Sequence, residues 1–145
     1  MPQSARYYPD LKLVHVRLWG AISMTSLAGR MAEWMYGFHV PKGYVCLTDS
    51  RALLAVDSSE TGMKELVNLQ SKVYEDLPCP EKSAILVDSP VGFVLSRLFE
   101  QMAEGVLEEQ VSLFRAEQDA LRFLGFESAD LDALLGGQRN VQHMD

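Results

Sequence analysis

Three Asp-Ser pairs carry the residues of this chain best suited to chemistry. Two lie in CLTDSRALLAVDSSETG, residues 46–62: Asp49-Ser50, followed by Arg51, and Asp57-Ser58, followed by Ser59 and Glu60. The third, Asp88-Ser89, follows the apolar run SAILV. Paired acids such as Asp49 and Asp88 could hold a metal or move protons in a small enzyme. A serine at a helix start could accept phosphate, because the helix dipole favours negative charge there. The same residues could also serve only as caps, since Asp57 or Ser58 ahead of Glu60 fits the pattern in which a side-chain oxygen accepts from a free backbone N–H.

The enzyme reading lacks supporting groups. His15 falls mid-strand, His39 near a helix end and His143 close to the C-terminus, with no metal-ligand spacing among them. There is no G-x-S-x-G, no Gly-rich phosphate loop and no C-x-x-C. A phosphoacceptor receiver domain would need an acidic pair after its first long strand to hold Mg²⁺. Here that strand runs into Trp19-Gly20-Ala21-Ile22-Ser23, and the last strand lacks the lysine of such a site. Neither a metal nor another cofactor is called for. Cys46 belongs to the apolar run GYVCL, and Cys79 sits between two prolines in Leu77-Pro78-Cys79-Pro80. A reducing compartment argues against their pairing.

The chain has 145 residues, enough for one domain with a substantial core. Its net charge of −7, with 13 scattered Lys and Arg, disfavours nucleic acid as a partner. No apolar run approaches the ~20 residues needed to cross a bilayer. The stretch MPQSARYYPD does not resemble a signal peptide. A cytoplasmic location is expected.

Residues 12–19, KLVHVRLW, alternate as a strand and form a hairpin with Arg6-Tyr7-Tyr8. Ser23 or Thr25 can cap a helix that runs to about Gly37. Residues 44–48 and 83–87 read as buried strands, and Val111–Phe114 as a last strand. Helices are expected near 59–76, 90–107, 117–124 and 128–135, the second of these opened by Ser89-Pro90. Met24, Met31, Met35, Met63 and Met102 recur at helical spacing, either as core or as an adaptable surface for an apolar ligand. The order β-β-α-β-α-β-α-β-α implies a mostly parallel sheet covered by helices. Ligands of such sheets gather beyond the carboxyl ends of the strands. That places Asp49, Ser50, Arg51, Asp57, Ser59, Asp88 and Ser89 on an expected ligand or partner rim.

The segment LLAVDSSETG, residues 53–62, resembles the Asp-Ser-Ser-Gly-type motif of STAS domains, the fold of bacterial anti-sigma-factor antagonists. Further features resemble the SpoIIAA-like branch. They are Leu47-Thr48-Asp49-Ser50-Arg51, Arg97-Leu98-Phe99, Val111–Phe114 and Ala120-Leu121-Arg122-Phe123-Leu124, within a resemblance spanning about residues 6–125. The resemblance implies a single-domain α/β sandwich with a mixed, mostly parallel sheet of four or five strands and about four helices. Residues 1–127 would form this domain, and 128–145 a short helix and a frayed tail. By the same resemblance Ser58 would be the phosphoacceptor, although Glu60 stands where phosphorylated antagonists place a glycine. The leading expectation is a non-enzymatic cytoplasmic binding or regulatory module that takes a protein partner or a small apolar, lipid-like ligand. The alternatives are a phospho-switched antagonist acting through Ser58 and a small enzyme using Asp49 and Asp88. A homodimer through the helices near 24–38 or 90–107 stays open.

Overall fold

A computed structural model describes residues 3–57 and 60–144, with the backbone alone at 60 and 61. Strand β1 (Gln3–Tyr8) turns at Pro9–Lys12 into β2 (Leu13–Ser23), and the two pair antiparallel with Tyr8 opposite Leu13. The turn is closed by Leu11 N–H donating to the Tyr8 carbonyl at 3.1 Å. Alternation along β2 sends Val14, Val16 and Leu18 to one face of the sheet and Leu13 to the other. The remaining elements follow in order: α1 (Met24–Phe38), β3 (Val45–Asp57), α2 (Glu60–Asp76), β4 (Lys82–Leu86), α3 (Pro90–Ala103), β5 (Gln110–Phe114), α4 (Glu117–Leu124), α5 (Leu131–Gly136) and β6 (Gln142–Met144).

The strands form one sheet in the order β5-β4-β3-β2-β1-β6. Strands β2 to β5 run parallel, and β1 pairs antiparallel with both its neighbours. Helices α1, α2 and α3 contribute Leu27, Trp34, Met63, Leu66 and Leu98 to the core on one face. Leu121, Leu124 and Leu131 of α4 and α5 pack over Leu13, Leu47 and Leu86 on the other. Helix ends follow local chemistry. Ser23 caps α1 by accepting from the Ser26 N–H, and Ser89 caps α3 by accepting from the Gly92 N–H at 3.0 Å, with Pro90 in the first turn. Gly125 ends α4 in the left-handed conformation (φ 99°).

The expected α/β sandwich is present, with three differences from the sequence reading. The described residues hold six strands and five helices rather than four or five strands and about four helices. Strand β3 does not stop near Thr48 but runs on to Asp57, alongside a β2 that reaches Ser23. These extensions pair with each other through register shifts between Arg17 and Trp19 and between Gly20 and Ala21, so they form a twisted two-stranded ribbon beyond the end of β4. Lastly, residues 142–144 are an edge strand on β1 instead of a frayed tail. Met144 fits against Gly37 of α1 so closely that a Cβ on that glycine would lie 2.6 Å from the Met144 Sδ.

Candidate functional site

Because β3 continues, Asp49, Ser50 and Arg51 lie within the strand. Asp49 pairs across the sheet with Arg17 on β2 and with Leu86, the last residue of β4. Arg51 grips Asp49 with two guanidinium nitrogens, Nε to Oδ1 at 2.9 Å and Nη2 to Oδ2 at 2.7 Å, and its backbone N–H donates to the same carboxylate at 3.1 Å. Its remaining arm reaches Glu117 Oε2 on α4 at 2.6 Å, while Glu117 Oε1 accepts from the Leu131 N–H at the start of α5. Burial raises the Asp49 carboxyl, but the Arg51 bonds outweigh it and hold the group below its ordinary value. This chain of bonds engages both carboxylates through one guanidinium and ties β3 to α4 and α5. Nearby on β2, His15 is buried with neither ring nitrogen bonded. Desolvation lowers its pKa to about 4; Asp49 opposes that shift, and Arg17, Arg6 and Arg51 add to it.

Ser50 faces the opposite way and is buried. Its Oγ donates to the Leu86 carbonyl at 2.7 Å, stapling β3 to the end of β4. Ser89, besides capping α3, donates to the Leu53 carbonyl at 3.4 Å. Exposed Asp88 lines a surface groove with Ser89, Phe93 and Arg115, a lining that does not include Asp49. Asp57 ends β3, exposed, opposite Ser23. Ser58 and Ser59 lie outside the described residues, and so does the phosphoacceptor expectation they carry. The rim residues are thus distributed among an internal ion pair, a strand staple, a helix cap and the tip of the ribbon. Among the described residues no group of three or more His, Cys, Asp or Glu side chains could hold a metal ion.

A different feature occupies the face covered by α1, α2 and α3. There the helices leave a cavity of about 70 Å³ against β2, β3 and β4. Its walls include Met24, Met31, Met35, Met63, Leu66 and Phe99, with a polar minority from Tyr44, Gln70, Tyr74, Ser83, Ser96 and Glu109. Gln70 is 5% exposed; its Nε2 donates to Met31 Sδ at 3.7 Å and its Oε1 has no partner. The Glu109 Oε1 is likewise buried and unbonded. Burial pushes the Glu109 carboxyl up to about 7, against a hydrogen bond from Ser83. The Cys46 thiol, also in the wall, is pushed up to about 12 by burial and stays protonated. The methionine spacing was the sequence signal for this cavity. Gln70 and Glu109 had none, because nothing local distinguishes them from surface polar residues.

No family model matches the chain, and no curated protein matches it. Among solved structures it is similar to the crystal structure of an uncharacterised protein of the DUF3478 family with a SpoIIAA-like fold from Shewanella loihica. The match has a TM-score of 0.50 at 15% identity, and covers 77% of this chain and 83% of that one. The chain has a SpoIIAA-like fold. The motifs that suggested it take up their places in this SpoIIAA-like frame: Val111–Phe114 lies in β5, Ala120–Leu124 in α4, and Arg97-Leu98-Phe99 in α3. Phe99 faces the cavity, while Arg97 pairs with Glu100 at 3.0 Å. Among the described residues no helix is long and apolar enough to cross a membrane.

Proposed function

We propose that this protein is a non-catalytic cytoplasmic binding module whose working site is the cavity beneath α1, α2 and α3, and whose ligand is a small, largely apolar molecule. The observation that carries this reading is the cavity itself, walled by four methionines. Methionine side chains are unbranched and polarisable, and they re-pack around a guest at little cost. Small-ligand sites are commonly concave and mostly apolar, with a few polar groups to orient the guest. At about 70 Å³ the space is roughly half of the ~150 Å³ apolar cavity known to take benzene. It therefore suits a compact molecule, and a long acyl chain would require the walls to move. The Asp49-Arg51-Glu117 bonds support the same reading by removing the most conspicuous acids from chemistry, since their lone pairs and protons are already engaged.

Isobutanol tests the reading as a compact, neutral probe. It is expected to raise the thermal midpoint of the wild-type protein in proportion to the logarithm of its concentration above Kd. Ser96→Leu, which puts a branched apolar side chain into the cavity, is expected to abolish that rise while leaving the protein folded. An equal rise in Ser96→Leu, or none in the wild type, would contradict the proposal.

A further inference from the structure

The geometry points to a cationic ligand: a small aliphatic amine whose ammonium group is held by Glu109 in the cavity wall, with its hydrocarbon among the methionines. This inference rests on the cavity being the binding site and adds the sign of the ligand's charge. Two buried oxygens in the wall, Gln70 Oε1 and Glu109 Oε1, have no partner. A buried acceptor left without a donor is costly, so each marks a place where a donor is missing. An ammonium group is all donor and no acceptor, and it carries the charge that complements a carboxylate.

The rest of the wall supports the choice. Among the described residues no Lys, Arg or His lines the cavity, so a carboxylate ligand would meet Glu109 without a cation to balance it. Glu109 also lines a surface groove together with Glu100, Glu104 and Gln110, so it borders both the cavity and an acidic surface. Glu100 is engaged by Arg97, and Glu104 stands exposed in the same groove. The net charge of −7 adds a long-range attraction for cations.

Binding of the amine also couples to protons. With the Glu109 carboxyl near 7 in the empty protein, an ammonium ligand drives it to the carboxylate, and the displaced proton goes to solvent. The other titratable groups facing it are Tyr44 just ahead of β3, Cys46 in β3, Tyr74 from α2 and Cys79 ahead of β4. Burial raises all four, the cysteines to about 12 and about 11, so they remain neutral through this range. Glu100 and Glu104 face it from the groove side.

The test compares isobutylamine, isobutanol and isobutyrate by NMR titration of methionine methyl-labelled protein, followed at Met31, Met35 and Met63. Isobutylamine is expected to bind most tightly and isobutyrate most weakly. Amine affinity is expected to fall about a hundredfold from pH 8 to pH 5, following the ionised fraction of Glu109. Glu109→Gln keeps the shape and is expected to lose about tenfold or more of amine affinity, together with the pH dependence. Retained isobutanol binding would show that this variant is folded with its cavity intact. Equal binding of all three probes, or an amine preference that survives Glu109→Gln, would overturn the charge assignment and leave the apolar site standing. Failure of every probe to shift the methionine methyls would overturn both.

Discussion

Two side chains with opposite proton preferences, His15 and Glu109, dominate the behaviour of this protein at the residue scale. His15 is held neutral, its pKa lowered to about 4 chiefly by desolvation. A base depressed in the fold makes the unfolded chain the better proton binder, so stability is lost as pH falls from about 6.5 towards 4. Glu109 is raised to about 7, again by burial. An acid raised in the fold makes the folded chain the better proton binder, so stability is lost as pH rises from about 4.5 towards 7. The two slopes oppose each other across nearly the same window, and the wild type is expected to show little pH dependence there. In urea denaturation, His15→Leu is expected to expose a decline of roughly 3 kcal/mol from pH 4.5 to 7, and Glu109→Gln a comparable gain. Flat profiles in both variants would contradict this pairing. Neither residue stood out in the sequence as a titrating group. His15 reads as a polar member of an alternating strand, and that pattern does not reveal that the side chain is buried. Asp49 and Arg51 did stand out, but their proximity in sequence concealed that they satisfy each other within one strand.

The elements were readable wherever a local signal marked their ends. Ser23 opens α1, Ser89-Pro90 opens α3 and Gly125 closes α4, as capping chemistry requires. Strand β3 escaped because Asp49-Ser50-Arg51 looks like a turn. In the fold Asp49 spends its turn-forming acceptors on Arg51, and the chain runs on as a strand. Strand β6 has only three residues, QHM, and no periodicity to betray it. Its position depends on a notch in α1 at Gly37, where Met144 sits. Gly37→Ala places a methyl in that notch and is expected to displace Met144, a flexible side chain, at modest cost. The expected signature is accelerated amide exchange along β6 and the facing edge of β1. Global stability should change by less than about 1 kcal/mol, because alanine is the better helix former. Unchanged exchange at β6 would show that the notch does not hold the strand.

At the scale of the molecule, the order of strands and helices was enough to anticipate a mostly parallel sheet with helices on both faces, and the SpoIIAA-like neighbour shares that plan. The cavity could not be anticipated in the same way. It arises because three helices and three strands leave a gap among residues far apart in the chain, from Val16 to Glu109. Spacing along a sequence reports which face a residue occupies, but not whether opposing faces fill the space between them. The interest of the molecule therefore moves from the rim, where Ser50 and Ser89 act as staple and cap, to an interior where the Gln70 and Glu109 Oε1 atoms lack partners.

The most direct measurement is a crystal structure of the wild-type protein grown with isobutylamine. The expected result is one molecule in the cavity, its carbons against Met31 and Met63 and its nitrogen within hydrogen-bond distance of the Glu109 carboxylate. An empty cavity, with the amine bound instead in the surface groove beside Asp88 and Arg115 or nowhere at all, would contradict it.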